Sequence, residues 1–365
     1  MICKKLKEYC PLSISYKNAV ATLALLILLI HTAYSKTPRA DLLSQARKDV
    51  ETLDSFMGDW AGLSVSNDQT KTLIVAQIIA LGNGKYQANL LSGFNQRVEP
   101  IAILEGQAKN GEKTIYLKGP DAEGTVKNSE FVGRLGNEQS FSMKRIYRVS
   151  PTLGANPPAG AIVLFDGKNY DNFKSVKTNH IPWKLVNSFM QVEPKTGSIV
   201  TKQQFEDFKL HLEFRPPFKP EARGQDRGNS GVYIHGRYEI QILDSYGLQG
   251  LANECGGIYE RWDEKRSPHG FEGKTPLVNA ALPPGQWQSY DIIFTAPRFN
   301  KSGKKIIDAC FKKVVHNGII IHQDVELSGP TRAGLFSDEE PTGPVMLQGH
   351  GNKVQFRNIW LVELP

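Results

Sequence analysis

Cysteine is scarce in this chain, and the positions of its four cysteines exclude the usual cysteine-based sites. Cys3 and Cys10 lie in the first 35 residues, which leaves Cys255 and Cys310 for the rest of the chain. Two cysteines do not make a disulfide framework, although the sequence leaves open whether they pair, and there is no C-x-x-C metal pattern. The G-x-x-x-x-G-K-[ST] phosphate-binding loop and the G-x-S-x-G nucleophile elbow are also absent.

The chain also has no apolar run long enough to span a bilayer and no large excess of positive or negative charge. The formal net charge is +7, and it falls to +4 when the four Lys and one Glu of residues 1–35 are removed. No dense run of Lys and Arg with interleaved aromatic residues occurs, so nucleic-acid binding is not expected. The longest apolar run, residues 19–30, is shorter than the roughly twenty residues that span a bilayer.

The start of the chain has the pattern of a secretory signal peptide. Lys4, Lys5 and Lys7 precede the apolar run, and small residues follow it at Ala33 and Ser35. A basic start, a short apolar core and a small-residue end predict cleavage after residue 35. The alternative is an uncleaved N-terminal anchor. We therefore expect an exported protein, periplasmic or extracellular, with no stable membrane insertion after cleavage and an oligomeric state that the sequence leaves open.

The rest of the chain divides into two parts around a segment rich in Pro, Gly and small residues. Apolar residues in 40–56 recur with helical spacing, and residues 57–149 then read as short strands, with a hairpin signal at Gly82-Asn83-Gly84. We predict a small antiparallel barrel or sandwich over 36–149, serving as an accessory domain. Residues 150–160 are the predicted linker, and 161–365 form the predicted second domain.

The second part shows strand patterns and no long helical period. The candidate strands are 208–215, 230–235, 238–244, 287–296, 309–316, 319–324, 345–348 and 354–363. His316-Asn317-Gly318-Ile319 carries the Asn-Gly signal of a two-residue hairpin. Many strands in about two hundred residues predict an all-β fold, with two packed antiparallel sheets of the jelly-roll type.

Alternation along three strands gives each of them an apolar face and a polar face. In 238–244, Ile240 and Ile242 point one way, and Glu239 and Gln241 point the other. Two further strands, 208–215 and 287–296, have polar faces that carry His211, Glu213, Arg215, Ser289 and Asp291. A solvated outer sheet would explain Lys and Ser there. Glu239 and Gln241 favour a ligand-facing sheet, because the rest of their strand is aliphatic.

Glycine-flanked polar residues mark further candidates. Gly236-Arg237 reads as a two-residue turn, which would pair His235 with Tyr238 and Ile234 with Glu239. Before that hairpin, Asn229 either caps a turn or faces a ligand, since its neighbours have little bulk. Near the C-terminus, Gln348 ends a strand and His350 stands between two glycines. His350 is then either an exposed loop residue or a site residue that exchanges protons near neutral pH.

Six ordered blocks in this second part resemble the 3-keto-disaccharide hydrolase family. The blocks are VLFDGKNYDNF at 163–173, FEDFKLHLEFR at 205–215, NSGVYIHGRYEIQILDSYG at 229–247, PPGQWQSYDIIFTAPRF at 283–299, VVHNGIIIH at 314–322 and LQGHGNKVQFRNIWL at 347–361. The resemblance covers about residues 160–365. It implies a concanavalin A-like fold, in which the concave sheet binds sugar.

The resemblance also implies a substrate class, namely disaccharides or glucosides oxidised to a ketone at C3. Relatives are described as hydrolases or as lyases that eliminate across C1–C2, sometimes with a divalent metal ion. A C3 ketone acidifies the proton on C2, so a positioned carboxylate or His can remove it. On this route Glu239 is the candidate base or metal ligand, Gln241 would hold a sugar hydroxyl or the ketone oxygen, and His350 would be the acid or a second base. The expected substrate-binding residues are Asn229, Arg237, Asp244, Gln348, Arg215 and Glu213.

Two other functions remain open on the same fold. A lectin-like sugar-binding module would need no catalytic carboxylate, since fold alone does not fix function. An ordinary glucanase would need a second carboxylate near Glu239, and the strand itself continues as Gln241 and Leu243. Asp291 or Glu213 on a neighbouring strand could supply that carboxylate.

Overall fold

The computed structural model describes residues 39–109, 111–261 and 273–365. These residues contain one α-helix and 23 strands, so the predicted all-β fold class is confirmed. The predicted signal peptide, residues 1–35, lies outside the described residues. No helix in the described ranges is long and apolar enough to span a bilayer.

The first part of the chain folds into a closed eight-stranded barrel behind the helix α1 (Arg39–Leu53). Each strand pairs with the next one along the chain, and the last strand pairs with the first, so the barrel leaves no open edge. The strands are β1 (Gly58–Ser66), β2 (Lys71–Gly82), β3 (Lys85–Leu91), β4 (Ala102–Gln107), β5 (Thr114–Lys118), β6 (Ala122–Lys127), β7 (Glu130–Leu135) and β8 (Gln139–Ile146).

Alternation along the barrel strands fills the interior with apolar side chains. In β2, Ile74, Ala76 and Ile78 belong to the buried barrel cluster. Helix α1 adds Val50 to this cluster, and the chain then turns at Asp54, whose carboxylate accepts the backbone N–H groups of residues 56 and 57 at 2.8 Å. The helix thus contributes to the barrel cluster through Val50 on its apolar face.

The second part of the chain forms two main sheets that pack face to face around a large apolar core, here called the sandwich. The five-stranded sheet runs in the order β10 (Phe173–Ser175), β13 (Ile199–Thr201), β22 (Met346–Leu347), β15 (Ser230–Ile234) and β16 (Tyr238–Ile242). The eight-stranded sheet runs β11 (Lys184–Val186), β12 (Phe189–Gln191), β23 (Gln355–Glu363), β14 (Phe208–Arg215), β17 (Gln288–Thr295), β20 (Ala309–His316) and β21 (Ile319–Leu327), with β9 (Ile162–Phe165) paired to β23. A small ribbon of β18 (Arg298–Phe299) and β19 (Lys305–Ile307) completes the set.

Two predicted hairpins have the expected turns, and one does not. Asn83-Gly84 and Asn317-Gly318 adopt positive φ at both positions, as two-residue turns between paired strands require. The predicted pairing of His235 with Tyr238 is wrong, because Ile234 pairs with Tyr238 and Tyr233 with Glu239. His235 adopts φ 56° and Gly236 adopts φ 66°, so the loop has three residues and the register shifts by one.

The predicted linker is docked on the sandwich. Ser150 Oγ lies 2.5 Å from Ser289 Oγ, and Thr152 Oγ1 donates to Asp291 Oδ2 at 2.7 Å. The Gly154 N–H donates to Glu213 Oε1 at 2.5 Å, and the side chain of Leu153 is buried. The polar outer face of the eight-stranded sheet is therefore covered by the segment that precedes it in sequence.

The barrel and the sandwich share a buried contact at Tyr246. The Tyr246 ring is part of the barrel cluster, and its hydroxyl donates to Asp59 Oδ1 at 2.8 Å. Asp59 in turn forms an ion pair with Arg148 at 2.7 Å. Cys255 and Cys310 are both buried and unpaired.

Candidate active site

The candidate site lies on the outward face of the five-stranded sheet, where strands β15 and β16 pair. Val232 and Ile240 point into the sandwich core, so alternation turns Gly231, Glu239 and Gln241 to the other face. Glu239 and Gln241 are nevertheless only 2% and 1% exposed. A buried carboxyl and a buried amide on one sheet face require hydrogen-bond partners, which identify the rest of the site.

Glu239 leans across its neighbouring strand over Gly231. A Cβ atom placed on Gly231 would lie 2.0 Å from Glu239 Oε1, so only glycine leaves room for the carboxyl group there. Glu239 Oε2 accepts a hydrogen bond from the Tyr233 hydroxyl at 2.6 Å. Burial raises the pKa of Glu239 to about 8, and the bond from Tyr233 opposes that rise only in part. A carboxyl group with a raised pKa is a stronger base than an ordinary glutamate once it is ionised, and this is a property of general bases.

Tyr233 connects Glu239 to the adjacent strand. Its ring packs with Val200 and Met346, and burial with the nearby Glu239 raises the pKa of Tyr233, so its hydroxyl stays protonated. Gln348 Nε2 donates to this hydroxyl at 3.2 Å. Gln348 Oε1 is buried and has no hydrogen-bond partner among the described residues. An unpaired buried acceptor is costly unless a water molecule or a ligand donates a hydrogen bond to it.

A second unpaired acceptor belongs to Asn229. Asn229 Nδ2 and Gln241 Nε2 both donate to Gln225 Oε1, at 3.0 and 2.9 Å. Asn229 Oδ1 is buried without a hydrogen-bond partner in the described part of the chain. The site thus presents a basic carboxyl group and two unsatisfied amide oxygens.

Gln225 was missed by the sequence reasoning. It lies on a short 3-10 turn, Gly224–Asp226, in a loop with no strand or helix pattern. Its Oε1 orients two predicted site residues, and its Nε2 donates to the Asn253 carbonyl at 2.8 Å. The only sequence signal for Gln225 is that it lies in a polar stretch before Gly228, and such a stretch is typical of any exposed loop.

His350 makes no side-chain hydrogen bond to Glu239 in the part of the chain that the structure describes. His350 follows Gln348 by two residues, and its side chain is exposed. Its carbonyl accepts from the Lys195 N–H at 3.3 Å, and its imidazole makes no hydrogen bond to the described residues. Its predicted role as an acid or second base stays a prediction.

Arg237 and Asp244 have structural partners. The Arg237 guanidinium is buried against Asp338, with Nη2 3.0 Å from Oδ1, and lies 4.6 Å over the Phe336 ring. Asp244 forms a buried ion pair with Arg227 at 2.6 Å. The contacts made by these two predicted binding residues hold loops around the hairpin.

Glu213 and Arg215 lie on the opposite sheet, because β14 belongs to the eight-stranded sheet. Glu213 is fully buried and accepts from Arg357 Nε at 2.7 Å, while Arg215 stacks 4.7 Å over the Trp287 ring. The sequence pattern predicts that the polar faces of three strands belong to one ligand-facing sheet. The three polar faces do point outward, but β16 lies in the five-stranded sheet and β14 and β17 lie in the eight-stranded sheet. The prediction of one shared sheet is therefore wrong.

The second carboxylate needed by a glucanase is therefore not supplied by Asp291 or Glu213. Both acids flank the buried His211, whose Nδ1 lies 2.7 Å from Asp291 Oδ1. Burial lowers the pKa of His211, but the hydrogen bonds and charges of Asp291 and Glu213 outweigh it and raise the pKa to about 9. The two acids thus stabilise an imidazolium on the opposite sheet from Glu239.

The side chains around Glu239 resemble the ligands of a hard divalent cation in donor type but do not form a dense acidic cluster. No three His, Cys, Asp or Glu side chains cluster as metal ligands in the described ranges. The unpaired oxygens of Asn229 and Gln348, together with the Glu239 carboxyl, are nonetheless the hard oxygen donors that Mg²⁺ and Ca²⁺ prefer. The residues fit such a cation in donor type, with one carboxyl group as the only charged ligand.

Comparison with known proteins decides the family. The sequence pattern of the 3-keto-alpha-glucoside-1,2-lyase-like domain matches residues 160–362, which is more than half of the chain. The chain belongs to this family. The match covers the sandwich and includes every residue of the candidate site described above. The 3-keto-alpha-glucoside-1,2-lyase-like domain therefore begins after the barrel.

Two solved structures resemble this domain. A Parabacteroides distasonis protein, provisionally described as a glycosyl hydrolase, shares 36% sequence identity with a TM-score of 0.51, over 58% of this chain and 86% of its own. A second one from the same organism, with the same description, shares 19% identity with a TM-score of 0.40, over 56% of this chain and 94% of its own. None of the curated proteins matches the chain. The family and the first relative place the chain among carbohydrate-active enzymes of the hydrolase type.

Proposed function

We propose that the chain cleaves 3-keto-glucosides by removing the C2 proton with Glu239. The observation that carries this proposal is the buried Glu239 carboxyl, whose pKa is raised to about 8, held over Gly231 beside two unpaired amide oxygens. An ordinary glycoside hydrolase uses two carboxyl groups across the scissile bond. A 3-keto-sugar needs one base, because the ketone makes the C2 proton acidic.

The proposed reaction balances as an elimination, with hydration as an optional second step. Glu239 in its carboxylate form takes the C2 proton, and the C–H electron pair becomes an enolate between C2 and the O3 oxygen. The enolate pair then forms the C1–C2 double bond while the C1–O bond breaks. The leaving oxygen takes one proton from water and Glu239 releases its proton to solvent, so that the net proton count is unchanged and the carboxylate is restored. Addition of water across C1–C2 restores the sugar ring carbons and gives net hydrolysis.

The neighbouring side chains support substrate binding in this scheme. Gln348 Oε1 and Asn229 Oδ1 can each accept a sugar hydroxyl, and Gln225 fixes the amide of Asn229. The Tyr233 hydroxyl holds the Glu239 carboxyl in place by a hydrogen bond of 2.6 Å. A divalent cation held by the Asn229, Gln348 and Glu239 oxygens would act as a Lewis acid toward the ketone oxygen.

Export belongs to the proposal as well. The basic start, apolar run and small residues of 1–35 support secretion, and 3-keto-glucosides would then be met in the periplasm or outside the cell. N-terminal sequencing of the mature protein is expected to begin at Lys36. A mature protein that retains Met1 would contradict export by this signal.

The first test compares oxidised sugars with their parents. We expect wild type to cleave 3-keto-trehalose and a 3-keto-β-glucoside but not trehalose or the unoxidised β-glucoside, and Glu239→Gln to lose the activity by at least about a hundred-fold. Loss on chelation, with recovery on added cation, would support the metal ion. Equal cleavage of the unoxidised sugars would contradict the proposal, and binding of intact sugar without cleavage would favour the lectin-like function.

A further inference from the structure

A second cleft, of about 600 Å³, lies between the barrel and the sandwich. One wall is formed by the outward faces of β2 and β3 and by residues 93–100, and the other by residues 247–249 with Glu254 and Asn279. Glu239 and the other residues of the candidate site do not line it. The volume is in the range of small-molecule sites, about 300–1,000 Å³.

The barrel wall of this cleft carries three polar side chains, Gln77, Gln87 and Asn89. Pairing of β2 with β3 sets Gln77 opposite Asn89 and Ile79 opposite Gln87. Ile79 packs against Gly247 as an interface residue should. Gln77, by contrast, makes no side-chain hydrogen bond to the described residues, and Gln87 uses only its Nε2, which donates to Asn89 Oδ1 at 2.8 Å.

The sandwich wall also offers free polar atoms. Gln249 is exposed, and its side chain makes no hydrogen bond within the described ranges. Glu254 Oε2 accepts the N–H groups of Gly250 and Leu251 at 2.6 and 2.9 Å, which leaves its other oxygen available. Hydrogen-bonding groups without a protein partner therefore face the cleft from both walls.

The two arginines of the cleft are already engaged. Arg148 pairs with the buried Asp59 at 2.7 Å and stacks 4.5 Å over the Phe94 ring. Arg97 Nη2 donates to the carbonyl oxygens of Gly250 and Pro276 at 2.8 and 2.7 Å. Because both guanidinium groups already have protein partners, neither is available to pair with an anion. The cleft therefore favours a neutral ligand.

Exposed apolar side chains complete the lining. Val98 and Ile103 are each 45% exposed, and Leu248 is 46% exposed. A sugar ring presents hydroxyl groups at its rim and C–H groups on its faces. Amide groups can donate to and accept from such hydroxyls, while aliphatic side chains pack on the C–H faces.

We infer that this cleft binds a neutral oligosaccharide through both domains. The inference does not depend on the reaction proposed for Glu239. The loop that forms the sandwich wall continues to residues 257–259, which pair with β16, where Gln241 N–H donates to the Gly257 carbonyl at 2.9 Å. The Asn253 carbonyl of the same loop accepts from Gln225. A bound glycan would thus contact the loop that flanks the candidate active site.

Isothermal titration of the full chain with maltotriose and with cellotriose tests the inference. We expect at least one of these neutral trisaccharides to bind with the same Kd to wild type and to Glu239→Gln. Gln77→Ala on one wall and Gln249→Ala on the other should each weaken binding about two- to ten-fold, as expected for loss of one hydrogen bond. The double variant should be weaker than either single one.

Gln139→Ala is the matched control, because Gln139 is an exposed glutamine on barrel strand β8, away from the cleft. Its Kd should equal that of wild type. The inference is overturned if neither trisaccharide binds up to about 10 mM. It is also overturned if binding depends on Glu239 but not on Gln77 and Gln249, since the sugar would then occupy the candidate active site alone.

Discussion

At the scale of single residues, the decisive feature is the space that Gly231 leaves above the sheet. The Glu239 carboxyl fills this space, out of contact with bulk water, and its pKa rises to about 8. An ordinary glutamate has a pKa of about 4.3 and is a weak base. Glycine on one strand and glutamate on the next thus give a carboxyl group that is a stronger base than an ordinary glutamate, which is the property that the proposed C2 proton removal needs.

Gly231→Ala tests this arrangement without removing any functional group. The added Cβ would lie 2.0 Å from Glu239 Oε1 and 2.9 Å from Cδ, so the carboxyl must move. We expect cleavage of a 3-keto-glucoside to fall about a hundred-fold, as for a misplaced catalytic group, and the free energy of unfolding to fall by about 1–3 kcal/mol because the buried site is overpacked. Gly351→Ala is the control, because a Cβ there meets no atom within 4 Å. A folded Gly231→Ala protein with full activity would show that the position of Glu239 is unimportant.

At the scale of strands and loops, the alternation of polar and apolar residues predicts correctly which side chains share a face of a strand. It does not predict which sheet each strand joins. The predicted strand 208–215 matches β14, and its Phe208, Leu210 and Phe214 are buried in the sandwich core as expected. Alternation shows which side chains share a face, but which sheet a strand joins depends on pairing between distant segments. Glu213 was therefore grouped with Glu239, although the two lie on different sheets.

The candidate site was predictable in part for the same reason. Glu239 and Gln241 stand out because polar residues interrupt an aliphatic strand, and Gln348 because it ends a strand near the C-terminus. Gln225 was not found, since loop residues reach a site through tertiary packing that leaves no periodic signal. The register of the hairpin was missed because His235 adopts a positive φ, which is uncommon for a residue other than glycine.

His211, Glu213 and Asp291 form a hydrogen-bonded network beneath residues 150–155, and this network predicts that the stability of the protein depends on pH. The raised pKa of His211, about 9, contributes stability that is complete below its ordinary value of 6.5 and is lost as pH rises through 9. Burial raises the pKa of Glu213, but His211, Arg357 and Asn358 lower it to about 2, so its contribution is present above 4.5 and is lost toward pH 2.

His211→Asn should therefore be less stable than wild type by about 2 kcal/mol at pH 6, because it removes the cation that lies between Glu213 and Asp291, while Arg357 still pairs with Glu213. The difference should narrow toward pH 9, where the wild-type imidazolium loses its proton. Urea unfolding at pH 6, 7.5 and 9 measures it, with the exposed His180→Asn as the control. A difference that stays constant over this range would rule out a charged His211.

At the scale of the whole molecule, the barrel and the sandwich are joined through a buried side chain. Tyr246 belongs to the sandwich in sequence, but its ring completes the barrel core and its hydroxyl meets the Asp59–Arg148 pair. Asn89 Nδ2 also donates to the Gly247 carbonyl at 2.8 Å. Shared core residues of this kind make two domains unfold together.

Tyr246→Ala should uncouple the two domains. We expect calorimetry to show one transition for wild type and two for Tyr246→Ala, with a loss of about 3–5 kcal/mol for the truncated ring. Tyr246→Phe keeps the ring and should retain one transition at a cost of about 1 kcal/mol. Tyr116→Ala, at a tyrosine that is 51% exposed, is the control. A single wild-type-like transition for Tyr246→Ala would mean that the two domains are coupled elsewhere.

The most direct test of the central claim follows the hydrogen on C2. A 3-keto-glucoside labelled with deuterium at C2 is incubated with wild type and with Glu239→Gln, and label in water is measured together with cleavage. If Glu239 removes the C2 proton, wild type will release one deuterium for each bond cleaved, and the variant will do neither. Cleavage by wild type with the deuterium retained at C2 would contradict the account, because the glycosidic bond would then break without proton removal.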